Sequence, residues 1–415
     1  MTVPPHLSTR ARAVRSSEIR DLLRLAERPD VISLAGGLPD PSGFPLDDIR
    51  SAADAAVSES SRSLQYTSTE GDEELRELLA QRHTAATGRH TTADDVVITT
   101  GSQQGLDLLA RALADPGDVA LVENPTYLGA LQALRAAGID TAGIPVDADG
   151  LDIAMLASRL DMVPAPRLVY TVPTFANPTG TTLPDERRRG LARLADHHGF
   201  LVIEDAPYAD LRFRGSAVAP VATYSDRVIS LGTVSKTLAP GLRVGWLIGP
   251  RPVVDAVVRL KQAVDLHTSG LSQRIVVHLL ARTDWFDAHV ATLAARYGER
   301  CCALRSAVDA RLGDRLAITD PDGGMFLWAT PRPGAAPIDA RELLTLAIDA
   351  GTAFVPGDAF AAESTTHLAG SMRLSFATAS SEELATAAER LANAVGQLDG
   401  RSRPKMSRGP LSHVR

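Results

Sequence analysis

The sequence contains only two cysteines among its 415 residues, and these two, Cys301 and Cys302, are adjacent. Adjacent cysteines cannot build a long-range disulfide framework, and they lack the spacing of metal ligands. We therefore expect two buried thiols in a reducing cytosol. Histidines at positions 83, 90, 197 and 198 show no metal-ligand pattern with acidic or thiol partners, so no metal site is expected.

Long apolar runs and an excess of basic residues are also missing. No run approaches the roughly 20 apolar residues of a membrane span, and the amino terminus MTVPPHLSTRARAVR lacks the apolar segment of a signal peptide. The formal net charge is -7, whereas binding to a polyanion requires a basic balance or a basic face. We expect a cytoplasmic protein with small-molecule partners and without a nucleic-acid or membrane partner.

The composition is typical of a folded protein, with 44% hydrophobic and 22% charged residues. A chain of this length exceeds one ordinary core, which favours a large domain and a smaller one. Residues 1–15 are rich in Pro, Arg and Ser, and residues 401–415 are basic and lack a hydrophobic pattern. The sequence thus predicts a flexible amino-terminal arm and a disordered basic tail.

Between these ends, short apolar runs alternate with helix-like segments. One such segment, SSEIRDLLRLAERP, places Ile19 and Leu22 on one helical face. The runs are VVITT, VALVE, RLVYTVP, FLVIED, RVISLG and VGWLIG. Runs of this kind interleaved with helices predict an α/β fold with a mostly parallel sheet buried on both faces. We assign this large domain to residues 61–300, and a smaller α+β domain to residues 301–400 with a contribution from residues 16–60.

Polar residues follow the first two runs at their ends. Ligands of doubly wound sheets bind beyond the carboxyl ends of the strands, so these residues are candidates for a site. Ser102 and Gln103 open a helix after a glycine, where free N–H groups and the helix dipole favour a phosphate. Tyr127 follows the second run and could stack on a flat ring. Taken singly, Ser102 is also explained as a helix cap and Tyr127 as a core residue.

Polar residues follow the later runs as well: Asn177 in NPTG, Asp205 and Tyr208 in EDAPYADL, and Thr233, Ser235, Lys236 and Arg243 in TVSKTLAPGLRVGW. Singly, an Asn-Pro turn marks a chain reversal, and a carboxylate at a strand end caps the next helix. Lys236 differs, because it ends a buried run and precedes Pro240 and Gly241, which force an irregular turn. A lysine at the end of a buried strand favours a chemical role for its amine.

The order of these residues resembles the class I/II aminotransferases, the fold-type I enzymes that use pyridoxal 5'-phosphate. The resemblance extends from about Glu18 to Leu398 and is specific at NPTG, EDAPYADL and SKTLAPGLRVGW. The opening IRDLLRLAERPDVISLAGGLPDP and the turn GSQQ are similar to the 2-aminoadipate and aromatic aminotransferase subgroup. The resemblance implies a large domain that binds the cofactor and a smaller α+β domain.

The resemblance also implies roles for the candidate residues. Lys236 would form a Schiff base with the cofactor and move the substrate alpha proton, which requires an amine with a lowered pKa. Asp205 would pair with the pyridine nitrogen, and Tyr127 would stack on the ring. Asn177 and Tyr208 would bond the phenolic oxygen. The phosphate would be held by Ser102, Gln103, Thr233, Ser235 and Arg243.

Four further residues concern the substrate and a second subunit. Arg373 in SMRLSFA matches the arginine that holds the alpha-carboxylate, and a planar fork suits that task. Gly37 in LAGGLP resembles the place where the backbone closes over the substrate. Tyr66 in LQYTSTEG resembles a tyrosine that reaches the neighbouring subunit's phosphate, which implies a homodimer with shared sites. Arg20 is a candidate for binding an acidic side chain of the substrate. The equal alternative is that Arg20 is a solvated helix residue without a role in binding.

The leading hypothesis is a transaminase with two half-reactions, in which an L-amino acid gives its amino group to the cofactor and a 2-oxo acid then receives it. The same residues would also serve a lyase, a decarboxylase or an oxidase, because each uses the same electron sink. A third hypothesis is the effector-binding part of a regulator that borrowed the fold. Such regulators carry a preceding DNA-binding domain, and only about 30 residues precede SLAGG, so this hypothesis is less expected.

Overall fold

The structure is a computed structural model that describes residues 8, 12, 28, 30–59, 61–162, 166–363 and 366–402. The helix predicted around Ile19, the candidate Arg20 and the chain after Ser402 lie outside the described residues. Their predictions therefore stay predictions.

The described residues form α-helices over most of the segments where the sequence shows helical periodicity. These helices are α1 (Leu46–Glu59), α2 (Glu73–Thr87), α3 (Ser102–Leu113), α4 (Leu128–Ala137), α5 (Ile153–Leu160), α6 (Asp185–His198), α7 (Arg251–Val264), α8 (Gly270–Leu280), α9 (Thr283–Leu312), α10 (Ala340–Asp349) and α11 (Ser381–Ser402). Several of them begin at a residue whose side chain accepts a free backbone N–H group, or end at a glycine in the left-handed conformation. In α2, for example, Asp72 accepts the N–H of Leu75 at the start, and Gly88 adopts the left-handed conformation at the end.

The strands belong to three sheets. They are β1 (Ile32–Ser33), β2 (Val96–Thr99), β3 (Val119–Asn124), β4 (Asp140–Asp147), β5 (Gly150–Leu151), β6 (Leu168–Thr171), β7 (Leu201–Asp205), β8 (Val228–Thr233), β9 (Gly245–Ile248), β10 (Leu316–Ile318), β11 (Phe326–Pro331), β12 (Thr352–Ala353), β13 (Val355–Pro356) and β14 (Met372–Ser375). The six apolar runs of the sequence correspond to β2, β3, β6, β7, β8 and β9.

The central sheet has eight strands in the order β2-β9-β8-β7-β6-β3-β4-β5. Strands β8, β7, β6, β3 and β4 pair in parallel, whereas β9 runs antiparallel to both of its neighbours. The α/β fold with a mostly parallel sheet is confirmed. In a parallel sheet the carboxyl ends of neighbouring strands meet at one edge, so the residues that follow β6, β7 and β8 lie together.

Both faces of this sheet are buried. Successive side chains of a strand point to opposite faces. Val169 of β6 packs in one core with residues of α5 and α6, and the next residue, Tyr170, packs in another with residues of α3, α4 and α7. Burial on both faces explains why these strands are nearly continuous apolar runs instead of alternating ones.

A second sheet is antiparallel, in the order β10-β11-β14-β13. Helices α9 and α11 contribute Leu304 and Leu391 to the core that it shares with β11 and β14. Strand β1 pairs in parallel with β12, so the first described strand joins the carboxyl-terminal part of the chain. The domain boundaries at residues 60, 300 and 400 stay predictions, and residue 300 lies within α9.

Two local expectations need correction or addition. Cys301 is buried but Cys302 is exposed, because neighbouring positions of a helix point about 100° apart; the expectation of two buried thiols is wrong for Cys302. Strand β4 was not evident in the sequence, since its buried residues Ala142 and Ile144 are separated by Gly143 and do not form an apolar run. In the described part of the chain, no helix combines the length and apolarity needed to cross a bilayer.

Candidate active site

The polar residues predicted at the strand ends meet in one cavity of about 400 Å³ at the carboxyl edge of the central sheet. Asp205 and Thr233 are the last residues of β7 and β8. The cavity is lined by Gly37, Leu38, Ser102, Gln103, Tyr127, Val172, Asn177, Asp205, Pro207, Tyr208, Thr233, Ser235, Lys236, Pro240, Arg243 and Arg373. Every candidate named from the sequence is among them except Tyr66 and Arg20.

Lys236 follows β8 and reaches into this cavity. Its Nζ donates to the carbonyl oxygen of Gly37 at 2.9 Å. Burial lowers the pKa of Lys236 to about 8, and the positive charges of Arg373 and Arg243 act in the same direction, against Asp205. A substantial fraction of this amine is therefore neutral near physiological pH, unlike that of a surface lysine.

Asp205 is buried, with only 2% of its surface exposed. Its Oδ2 accepts a hydrogen bond from the hydroxyl of Tyr170 at 2.9 Å, while its Oδ1 has no partner. Burial raises the pKa of Asp205 to about 6, against the Tyr170 bond and the charge of Lys236. A buried carboxylate oxygen without a donor is costly unless a ligand supplies one, so this atom fits a protonated ring nitrogen.

Two further buried residues at this site, Tyr170 and Glu123, were not predicted from the sequence. Tyr170 lies inside the run RLVYTVP and has the pattern of an ordinary core residue. Glu123, near the end of β3, accepts the hydroxyl of Thr171 at 2.5 Å and the N–H of Val172 at 3.3 Å. Burial raises the pKa of Glu123 to about 7. An acidic residue inside an apolar run was the one available signal for it.

Arg373 on β14 is buried, lines the cavity and joins three segments of the chain. Its Nη1 donates to Asn177 Oδ1 at 2.8 Å, and its Nη2 donates to the carbonyl oxygen of Ala35 at 2.7 Å. The guanidinium carbon lies 4.3 Å from the centre of the Phe326 ring and 4.9 Å from that of Phe360. Burial lowers its pKa to about 10.

No carboxylate pairs with Arg373 within the described residues, and its Nε has no hydrogen-bond partner. A buried cation without an anionic partner is unfavourable, so the position fits a ligand that brings a negative charge. Asn177 also donates through Nδ2 to the hydroxyl of Tyr208 at 3.5 Å. One side chain thus connects Arg373 with the aromatic wall of the cavity.

Tyr127 caps the amino terminus of α4, and its ring is held from two sides. A Cβ atom at Gly129 would overlap the Tyr127 ring, so glycine lets the ring lie against the helix. The Tyr127 hydroxyl donates to Gln103 Oε1 at 3.4 Å, and Gln103 Nε2 donates to the carbonyl of Gly129 at 2.9 Å. Burial raises the pKa of Tyr127 to about 12, so its hydroxyl stays neutral.

The turn before α3 forms the opposite end of the cavity. Gly101 is the helix N-cap, with a φ of 77°, and it has no side chain to bond the first N–H groups of α3. Arg243 approaches this turn so closely that a Cβ atom at Gly101 would overlap its guanidinium. Thr233 donates to Ser235 Oγ at 2.9 Å beside them. Exposed N–H groups, hydroxyls and a guanidinium are the donors that a phosphate requires.

The structure does not bring Tyr66 into the cavity. Its side chain is 78% exposed, and its ring meets the ring of His267 edge-on, with centroids 5.7 Å apart. Arg20 lies outside the described residues. Across the described ranges, no group of three or more His, Cys, Asp and Glu side chains is placed to hold a metal ion.

Comparison with known proteins gives concordant results. Residues 29–391 match the family described as aminotransferase class I and II. The chain is 37% identical to aromatic-amino-acid aminotransferase 1 of Thermococcus litoralis, over 94% of each chain. It is 36% identical to 2-aminoadipate transaminase of Thermus thermophilus, over 92% of this chain and 94% of that one. The solved kynurenine aminotransferase of Pyrococcus horikoshii, in complex with PMP, has a TM-score of 0.89 at 36% identity and covers 94% of this chain and 97% of its own.

Proposed function

Because the chain belongs to the class I and II aminotransferases, we propose that it binds pyridoxal 5'-phosphate in the cavity described above and runs transamination there in two half-reactions. The observation that carries the proposal is the meeting of Lys236, Asp205 and Arg373 in one cavity. The two relatives and the structural neighbour reported above are aminotransferases. They do not favour lyase, decarboxylase or oxidase chemistry, or the regulator hypothesis.

The residues of the cavity fit this cofactor at both ends. The unpartnered Asp205 Oδ1 would accept the N–H of its ring, and Tyr127 would pack against the ring face. The phosphate would be held by Ser102, Gln103, Thr233, Ser235 and Arg243. The structural neighbour was solved with PMP, the amine form of the same cofactor. When bound, the cofactor supplies an electron sink for the electrons left by a departing alpha proton.

Lys236 would hold the cofactor through Nζ and then act as the base for the substrate. A general base is most effective when its pKa is close to the working pH, and the pKa of Lys236, about 8, meets that condition. The Gly37 carbonyl accepts from Nζ at 2.9 Å and keeps the amine directed into the cavity. Nζ would take the proton from the substrate alpha carbon and later return it.

Arg373 would bind the alpha-carboxylate of the substrate. Its planar fork can pair with both carboxylate oxygens, and Asn177 and the Ala35 carbonyl fix its orientation. The rings of Phe326 and Phe360 exclude water from beside it. Gly37 would lie over the bound substrate, since it lines the cavity beside Lys236. The proposed role of Arg20 toward an acidic side chain stays a prediction.

The first prediction concerns the half-reaction with an amino acid alone. We expect the purified protein with pyridoxal 5'-phosphate to show a visible band that a suitable L-amino acid converts to the near-ultraviolet band of the amine form. One oxo acid should be released per site. The measurement is an absorbance titration with oxo-acid detection, using a panel that includes aromatic amino acids and 2-aminoadipate, the substrates in the relatives' names.

The D-enantiomers of the same panel provide the control, because they should leave the visible band unchanged. Uptake of oxygen or release of carbon dioxide in place of oxo-acid release would contradict transamination. Absence of any cofactor band would contradict the cofactor assignment itself.

We also propose a homodimer with shared sites in the cytoplasm. Two segments of the chain carry exposed apolar residues: Leu64 (66% exposed) and Tyr66 (78%) in the first, and Val264 (47%) and Leu266 (43%) in the second. The contact between Tyr66 and His267 places these segments side by side. We call these four residues the Tyr66 patch. An exposed apolar patch of this kind is typical of a protein interface. A second copy on this patch would allow Tyr66 to reach the partner's phosphate-binding turn.

The second prediction tests this assembly. Replacing Leu64 and Leu266 together with aspartate should convert a dimer into a monomer, because two buried charges would oppose association. Sedimentation or light scattering measures the mass. Met155→Asp is the matched control, since Met155 is 48% exposed on α5 and should leave the mass unchanged. A wild-type protein that is monomeric at micromolar concentration would contradict the proposal.

A further inference from the structure

A second buried lysine lies behind the turn that precedes α3, outside the cavity. Lys261, in the last turn of α7, is 0% exposed. Its Nζ donates to Gln104 Oε1 at 2.9 Å, to Asp265 Oδ1 at 2.9 Å and to Thr268 Oγ1 at 3.2 Å. Three side-chain acceptors therefore satisfy the three N–H groups of the ammonium. We call these four residues the Lys261 cluster.

The Lys261 cluster holds Thr100, the residue that leads into Gly101. Gln104 Oε1 accepts the backbone N–H of Thr100 at 2.8 Å, and Asp265 Oδ2 accepts its hydroxyl at 3.0 Å. The carbonyl oxygen of Thr100 accepts from Arg243 Nη2 at 3.1 Å. Each polar group of Thr100 thus has a partner, and the chain then turns at Gly101 directly into the first N–H groups of α3.

Stability alone gives a poor explanation for this cluster. Burial lowers the pKa of Lys261, against the hydrogen bond and charge of Asp265, which shows that the ammonium is held against a desolvation cost. A buried ion pair often contributes no more to stability than well-packed apolar side chains would. The ion pair instead orients its neighbours, because each hydrogen bond from Lys261 fixes the position of one partner atom.

The choice of lysine is also specific. The sequence has three lysines, Lys236, Lys261 and Lys405, among 43 lysines and arginines in total. Arginine supplies nearly all other positive charges of the chain. The compact ammonium can donate in three directions to Gln104, Asp265 and Thr268, whereas a planar guanidinium presents its donors in one fork. The geometry of this cluster therefore favours lysine over arginine.

We propose that Lys261 is a positioning residue for the cofactor phosphate. It holds Gln104 and Asp265, these two hold Thr100, and the first N–H groups of α3 thereby stay directed at the phosphate. The inference rests on the proposed function, because this turn is a phosphate site only if pyridoxal 5'-phosphate binds in the cavity. Lys261 does not line the cavity, so it acts through Thr100 and is not a catalytic residue.

The third prediction concerns the preference for pyridoxal 5'-phosphate over pyridoxal, the same aldehyde without its phosphate. The ratio of the two dissociation constants, measured at equilibrium on the full chain, isolates the contribution of the phosphate. Lys261→Met should lower this ratio by about tenfold or more, as the loss of a residue that orients a metal ligand does at metal sites. Its affinity for pyridoxal should change little. Thr100→Val, which loses only the hydroxyl contacts to Asp265 and Thr268, should lower the ratio less.

Arg315→Met is the matched control. Arg315 is also a largely buried cation with a carboxylate partner, Asp399, but it lies next to β10 in the other sheet, so the ratio should not change. A Lys261→Met protein with a lower melting temperature and an unchanged ratio would overturn the inference. If that variant does not fold, an unchanged ratio in Thr100→Val overturns it. A wild-type protein that binds both aldehydes equally would instead contradict the proposed cofactor site.

Discussion

Replacing Lys236 with alanine should lower turnover by a factor of about 10⁴ or more. Loss of a general base alone costs about 10²–10⁴ in rate, and this variant also loses the amine that would hold the cofactor. The measurement is the rate of conversion of the cofactor to its amine form by a good amino acid, followed in a single turnover. That readout separates the chemical step from product release.

Lys236→Arg distinguishes the amine from its charge. Arginine keeps a positive charge and a donor for the Gly37 carbonyl, but its guanidinium does not lose a proton in proteins. It should therefore be as inactive as alanine. Added ethylamine should restore part of the rate in Lys236→Ala, since a free amine can serve as a base in the vacated space. Turnover above a tenth of the wild-type value in either variant without added amine would contradict the role of Lys236.

The pKa of Lys236 adds a pH dependence to the same prediction. The amine is protonated below about pH 8 and neutral above it, and only the neutral amine attacks an aldehyde. The attachment of pyridoxal 5'-phosphate to cofactor-free protein should therefore accelerate as the pH rises through about 8. Stopped-flow absorbance measures this rate. An inflection near 10.5, the ordinary lysine value, would show that the amine is not perturbed.

Asp205→Ala should lower turnover by about 10²–10³, the loss typical of removing one preorganised electrostatic group, and should weaken cofactor binding. The reason is that Asp205 Oδ1 is a buried acceptor without a donor. Tyr170 occupies the other oxygen and keeps the carboxylate oriented. Asp205→Asn is the sharper variant, because it keeps the shape and removes the charge that would hold a proton on the ring nitrogen.

The raised pKa of Asp205 also fixes the direction of the pH effect. Below about pH 6 the carboxyl is protonated and no longer attracts a protonated ring. Cofactor affinity should therefore fall as the pH falls through about 6 in the wild type, and this inflection should be absent in Asp205→Asn. Equilibrium titration with the cofactor at several pH values gives both curves.

Glu204→Gln is the matched control for Asp205. Glu204 is equally buried, at 2% exposed, but as the adjacent residue of β7 it faces the other side of the sheet. There it accepts the N–H groups of Val221 and Ala222. The substitution should reduce stability and leave the inflection in cofactor affinity near pH 6. Loss of that inflection in Glu204→Gln, or its persistence in Asp205→Asn, would count against the assignment.

The sequence predicted the central sheet well because burial on both faces leaves a simple pattern. Strands such as β6 and β7 begin as apolar runs, and the polar residues at or after the end of each run mark the edge of the sheet. Candidates from distant parts of the chain, such as Asn177 and Lys236, could therefore be placed together from the sequence alone. Strand β4 was missed for the same reason, since its buried and less buried residues alternate and leave no apolar run.

Residues that act through another side chain could not be predicted. Tyr170 is one of several buried residues in its strand. Its importance depends on the β6 and β7 register, which places Ile203 opposite Tyr170 and leaves Asp205, two residues further on, within reach of its hydroxyl. Lys261 is separated from Thr100 by more than 150 residues, and a single lysine in an amphipathic helix carries no periodic signal. Contacts of this kind depend on side-chain geometry, which a one-dimensional pattern does not contain.

The scarcity of lysine limits the number of sites at which a reactive aldehyde can attach to the protein. Aldehydes condense with neutral primary amines, whereas the arginine guanidinium remains protonated and unreactive near neutral pH. Within the described residues the lysine amines are those of Lys261, which is fully buried and bonded to three acceptors, and of Lys236, which lines the cavity. Unwanted adducts on the described surface are thereby limited, and an entering aldehyde finds one receptive lysine.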